Sequence, residues 1–177
     1  MKKQNILFIL FAFFSLVFMS NCTNNKDVTK EFFEKYEGED GFIIVNLPPG
    51  IARILIDENE KEFREVLKEV DKVKILIFNN NDEGLYKGKK NEILDDLFTK
   101  LNNNGFEDLI VFKEETREAK VVIKENNEIV KELLIVFCED ETFISVNLVG
   151  NIKMGSVLEL SKKMDINEIK RFIEMGR

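Results

Sequence analysis

The chain predicts an α+β fold: a single domain on an antiparallel-dominated sheet with a C-terminal four-strand meander, helices lying mainly on one face. Three observations predict it. Apolar residues recur at helical spacing in several stretches before residue 105, and the period then changes to two. Short polar turns separate the period-two stretches, as in a meander. The run "LLIVFC" (133–138) is apolar on both faces, which marks a central strand covered at least in part on both sides.

The elements follow in order. Phe32, Phe33 and Tyr36 share one face of a short helix that ends at Gly38. "GFIIVNL" (41–47) is a strand, stopped by Pro48-Pro49-Gly50 because proline cannot donate to a ladder. "GIARILI" (50–56) fits helix or strand and is read as a helical turn. Phe63, Val66, Leu67 and Val70 at helical spacing predict an amphipathic helix over 59–70, and "KVKILIF" (72–78) a strand.

The polar stretch 79–91 reads as a loop. Ile93, Leu94, Leu97, Phe98 and Leu101 then form a helical stripe that Asn104-Gly105 stops. Four strands follow, at 108–114, 118–125, 128–139 and 142–150. "ENNE" (125–128) is a hairpin signal, since Asn tolerates positive φ, and "EDE" (139–141) is a second turn. A helix over 155–163 and another after Asp165 close the chain. Asp165 and Glu168 resemble a capping box, and Ile166, Ile169, Phe172 and Ile173 give the last helix an apolar face. "FIIVNL" (42–47) and "FISVNL" (143–148) agree at five of six positions. The small alphabet of strands explains this more simply than an ancient duplication, and the offset is far beyond solenoid periods.

The N-terminus carries an address. Lys2 and Lys3 precede an apolar run over 6–19, a basic n-region and an h-region. A spanning helix needs roughly 20 apolar residues, so the run is short for an anchor. Met19, Ser20 and Asn21 before Cys22 resemble a bacterial lipobox, although Asn21 is larger than the usual small residue. Residues 1–21 are therefore read as a lipoprotein signal peptide, 22–30 as the lipidated Cys22 with a polar tether, and 31–177 as the domain. Residues 23–30 reach at most about 26–29 Å, which keeps the domain close to the bilayer. With acyl chains on Cys22, Cys138 has no partner and no disulfide framework is expected.

Loss of residues 1–21 leaves 156 residues and a formal charge of −9, with 24 basic side chains against 33 acidic. An acidic chain repels phosphate backbones, so nucleic acid is not an expected partner. The chain has no histidine. That removes Ser/His/Asp and Cys/His catalysis and His-ligated zinc. Cys138 sits on an apolar strand beside Glu139, Asp140 and Glu141 and reads as a buried thiol. The carboxylate pairs Asp95/Asp96, Glu114/Glu115 and Asp140/Glu141 read as solvated faces and turns. "NNNDEG" (79–84) superficially resembles the start of a calcium loop, but Lys90 stands where a bidentate Glu is required. Lys87, Lys89 and Lys90 near Tyr86 form a small basic spot on a loop. No phosphate-binding glycine motif occurs, so no catalytic residue, metal or cofactor is assigned.

The stretches "FFEKYEGEDGFIIVNL", "VDKVKILIF", "DDLFTKLNNNGFEDLIVFKE" and "VVIKENNEIVKELLIVFCEDETFISVNLVGNIKM", in that order, span nearly all of the chain after Cys22. They resemble domain-of-unknown-function family 4252, small lipoproteins found mostly in Bacteroidetes. The resemblance carries no catalytic residues. It implies an exported, lipid-anchored envelope protein, with an outer-membrane site facing the periplasm expected, and a link to envelope stress through extracytoplasmic-function sigma factors.

The expected function is non-enzymatic: a lipid-anchored binding or interaction module of the cell envelope, its membrane partner reached through Cys22. A structural accessory of envelope proteins, using an exposed sheet face such as Ser145 and Asn147, is the rival. An apolar cavity between helices and sheet would instead mark a site for a small ligand or lipid.

Overall fold

A computed structural model describes residues 27–79 and 84–163. Within them lie a six-stranded sheet and five helices in one α+β domain. Helix α1 (Val28–Lys35) is capped by Asp27, whose carboxylate accepts from the Lys30 N–H at 3.0 Å. This helix begins three residues before Glu31, where the sequence reading opens the domain. Strand β1 (Phe42–Leu47) ends at the prolines, where Pro49 opens helix α2 (Pro49–Leu55) with its φ already suited to the first helical turn. The helical reading of "GIARILI" is correct.

Helix α3 (Lys61–Lys68) is shorter than the periodicity predicts. Val70 has helical spacing but is the first residue of β2 (Val70–Phe78), where the ladder pairs it with Gly150. Helix α4 (Lys90–Asn102) follows. The strands β3 (Glu107–Lys113), β4 (Arg117–Asn126), β5 (Ile129–Glu139) and β6 (Thr142–Lys153) form the expected meander. Between β4 and β5, Asn127 and Glu128 both take positive φ, as a two-residue hairpin twisted like its strands requires. Helix α5 (Met154–Lys163) closes the described chain, and the helix expected after Asp165 lies outside the described residues.

The strand order is β1-β2-β6-β5-β4-β3, with every neighbouring pair antiparallel. Strand β6 returns beside β2, so α4 must carry the chain across the sheet to its far edge. Helices mainly on one face were expected, and the structure differs. Leu133 and Ile135 of β5 pack with α2, α3 and α5 around Val66, Leu67 and Val157. Leu134, Val136 and Cys138 pack on the other face with α1 and α4 around Phe33, Leu97 and Leu101. The cause is in "LLIVFC": a strand apolar on both faces needs cover on both, and each buried Leu or Phe contributes roughly 1.5–3 kcal/mol.

Candidate functional site

Asp27, Thr29, Lys30 and Glu34 of α1 and its cap overhang one end of the sheet and enclose a cleft of about 460 Å³. Its floor is a row of polar side chains across three strands, because the ladder pairs Asn46 of β1 with Lys74 of β2, and Lys74 with Asn147 of β6. Leu47, Pro48 and Pro49 form the rim, with Asp71 and Lys72 beside them. Both signs of charge line the opening. Lys74 Nζ also lies 5.4 Å from the Phe33 ring centroid, a cation–π contact that fixes its stem against α1.

Behind this row sits a buried polar network. Asn147 Nδ2 donates to Glu132 Oε1 at 2.8 Å. The Thr29 hydroxyl lies within hydrogen-bond reach of Asp27 Oδ1 at 3.0 Å and of Glu132 Oε1, and its single proton serves one carboxylate at a time. Burial pushes the Glu132 carboxyl above the ordinary carboxylate range, and nearby Asp27 adds to the rise; the bonds from Thr29 and Asn147 oppose it without cancelling it. Asn147 is 5% exposed, and its Oδ1 has no partner. Ser145, fully buried on the same face, has an unpaired Oγ. The expected exposed sheet face at Ser145 and Asn147 is therefore wrong: α1 and α4 cover that face.

A second cavity of about 390 Å³ lies between α4 and β3–β5, lined by Phe98, Lys120 and Cys138 among others. Cys138 is a buried free thiol, as expected, and burial pushes its pKa up to about 11. That opposes nucleophilic chemistry, since the thiolate is the reactive form. Lys120 Nζ stands 4.4 Å over the Phe98 ring.

The remaining sequence candidates are scattered. Asp96 pairs with Lys100 and Lys35 on the surface of α4, and Lys100 beside it holds its carboxyl below the usual range. Glu114 pairs with Arg117 at the β3–β4 turn, and Asp140 sits in the β5–β6 turn with positive φ. Lys90 Nζ donates to the Asp140 carbonyl, and Lys89 lies over Tyr86, whose hydroxyl donates to Glu39 at 3.1 Å. No metal-holding group of acidic or sulfur side chains occurs among the described residues. Cys22 and residues 80–83 of the calcium-like stretch lie outside them, and no described helix is long and apolar enough to cross a membrane.

The sequence reading missed Glu132 and Lys74. Glu132 is the acidic residue that interrupts the apolar pattern of β5, and that interruption was the available signal. Lys74 gave none.

The floor and the Glu132 carboxylate fall inside a recognised family region: the model of a domain of unknown function, DUF4252, matches residues 36–171, well over half of the chain. The chain belongs to the DUF4252 family. No curated protein and no solved structure matches it. The DUF4252 region includes Asn46, Lys74, Glu132 and Asn147, whereas Asp27 and Thr29 in the α1 wall precede it.

Proposed function

We propose that this DUF4252 protein is a lipid-anchored component of the cell envelope, held through an acylated Cys22, and that it works by binding in the cleft under α1. The observation that carries binding is Asn147 Oδ1, a buried acceptor without a partner in the cleft floor. Such a group costs about 1–3 kcal/mol unpaired, so a ligand that brings it a donor is favoured. Charges of both signs around Lys74 fit a small zwitterionic or amide-bearing ligand. The reading is non-enzymatic because the chain lacks histidine and its carboxylate pairs lie on turns and a helix surface. The apolar run that ends at Cys22 supports the membrane address.

Two measurements test it. Acyl labelling and fractionation of Cys22→Ser address location, and unchanged labelling with unchanged pelleting refutes the anchor. Native mass spectrometry of protein released from its own membranes addresses binding. A small molecule present in the wild type and lost in an Asn46→Ala, Lys74→Ala double variant supports the cleft. An empty wild type that also shows no shift at Lys74 or Asn147 in an NMR screen of zwitterionic compounds removes it. Exposed Ile43, Val45 and Ile54 favour a second reading, an accessory that docks on envelope proteins. Crosslinked membranes would then yield stoichiometric partners.

A further inference from the structure

An amphipathic helix ordinarily turns its apolar stripe to the core. Helix α2 buries Ala52 but leaves Ile51, Ile54 and Leu55 46%, 77% and 57% exposed. Their i, i+3, i+4 spacing places them on one stripe. Ile43 and Val45 of edge strand β1 extend the apolar surface. Val45 pairs with Ile75, which packs into the cluster that α2 covers, so these side chains and α2 share one face of the sheet.

Position indicates what meets this stripe. Asp27, where the chain from Cys22 enters the domain, lines the same cleft as Pro49, the first residue of α2. Four residues lie between Cys22 and Asp27, and the five steps of chain reach at most about 18 Å. All of α2 lies within about 10 Å of Pro49 along its axis. The basic loop with Leu85, Lys87 and Lys89 follows the other end of β2, about 30 Å along that strand.

We infer that Ile51, Ile54 and Leu55 insert into the lipid surface that holds Cys22, so that the domain rests on the bilayer with α2 against it. The inference rests on the reading of Cys22 as lipidated. The acyl chains supply attachment, and the three side chains fix orientation by burying shallowly at the level of the headgroups and upper acyl chains. The mouth of the cleft then opens beside the membrane rather than away from it.

The chain contains no tryptophan, so one introduced indole reports alone. Full-length Ile54→Trp and Leu85→Trp proteins, lipidated in the cell, are reconstituted in phosphatidylethanolamine–phosphatidylglycerol vesicles brominated high on the acyl chains. Leu85 is 68% exposed and serves as the distant control. The expected result is blue-shifted emission and strong bromine quenching for Ile54→Trp, with neither for Leu85→Trp. Equal, weak quenching of both in protein that floats with the vesicles overturns the inference. Blue-shifted emission without bromine quenching also overturns it, because another protein segment then covers α2. Failure of the lipid reading is distinct: mass analysis shows Cys22 without acyl chains, and the protein does not float.

Discussion

Asn46 and Asn147 face Lys74 from opposite sides of β2, each as its partner in the ladder. Strands β1 and β6 both run antiparallel to β2, and the same register holds along them. Phe42 and Phe143 flank Phe78, with ring centroids 4.8 and 5.3 Å from it. Val45 and Val146 flank Ile75, while Leu47 and Leu148 flank Val73. The agreement of "FIIVNL" with "FISVNL" therefore has a local cause. Two strands that share a neighbour and a register meet the same demands at each position, and no duplication is needed.

The one mismatch in that echo gives a stability prediction. Ile44 and Ser145 flank Leu76, and the buried Ser145 Oγ has no partner. An unpaired buried hydroxyl costs about 1–3 kcal/mol. Ser145→Ala is expected to raise the urea midpoint, by roughly 1 kcal/mol in stability, with an unchanged m-value. A lower midpoint would show that the hydroxyl is paired in solution.

Gly150 carries a second prediction. It pairs with Val70 beside a β-bulge, and a Cβ there would stand 2.8 Å from Val70 Cα and against the Glu69 carbonyl. Both obstacles are backbone, which cannot rotate aside. Gly150→Ala is expected to lose about 3 kcal/mol, at the upper end of overpacking costs. Thermal unfolding checks this, and a change below about 0.5 kcal/mol, the range of neutral surface substitutions, would mean that the strands part easily.

The same glycine shows where sequence reading stopped. "VNLVG" reads as a strand ending at 150, but β6 continues to Lys153 because β5 still pairs with it there, Val130 with Ile152 and Ile129 with Lys153. Period and turn chemistry made the helices and the meander legible, since each depends on neighbours in the chain. The site was not legible in this way. Asn46, Lys74, Glu132 and Asn147 are brought together by β6 inserting between β2 and β5, a pairing of segments far apart in sequence. Ser145 and Asn147 were misread for a related reason: alternation shows which residues share a face, but not that α1 and α4 cover it.

Cys138 gives a third prediction. In Cys22→Ser protein it is the sole thiol, since the chain has two cysteines. With a pKa near about 11 and a buried sulfur, it offers few thiolates at pH 8. Reaction with an aromatic disulfide reagent is expected to be slow in the native protein and fast in denaturing urea. Fast native reaction would show that the cavity between α4 and the sheet opens readily.

Glu132 gives the prediction tied most closely to the site. Its folded pKa lies above its ordinary value of 4.5, chiefly through burial. The native state therefore holds the proton more tightly than the unfolded chain does. Proton linkage then makes stability fall as pH rises above about 4.5 and through the folded pKa, because ionisation favours the unfolded chain. Above the folded pKa the penalty is complete, and below 4.5 it is absent. Glu132→Gln keeps an acceptor for Thr29 and Asn147 but cannot ionise. The variant is expected to be more stable than wild type at pH 7 and to converge with it near pH 4. Parallel stability curves across that range would place the Glu132 charge in solvent. Convergence at low pH would instead show that a half-buried carboxylate is retained beside the cleft floor against the stability of the fold, as a site for binding allows.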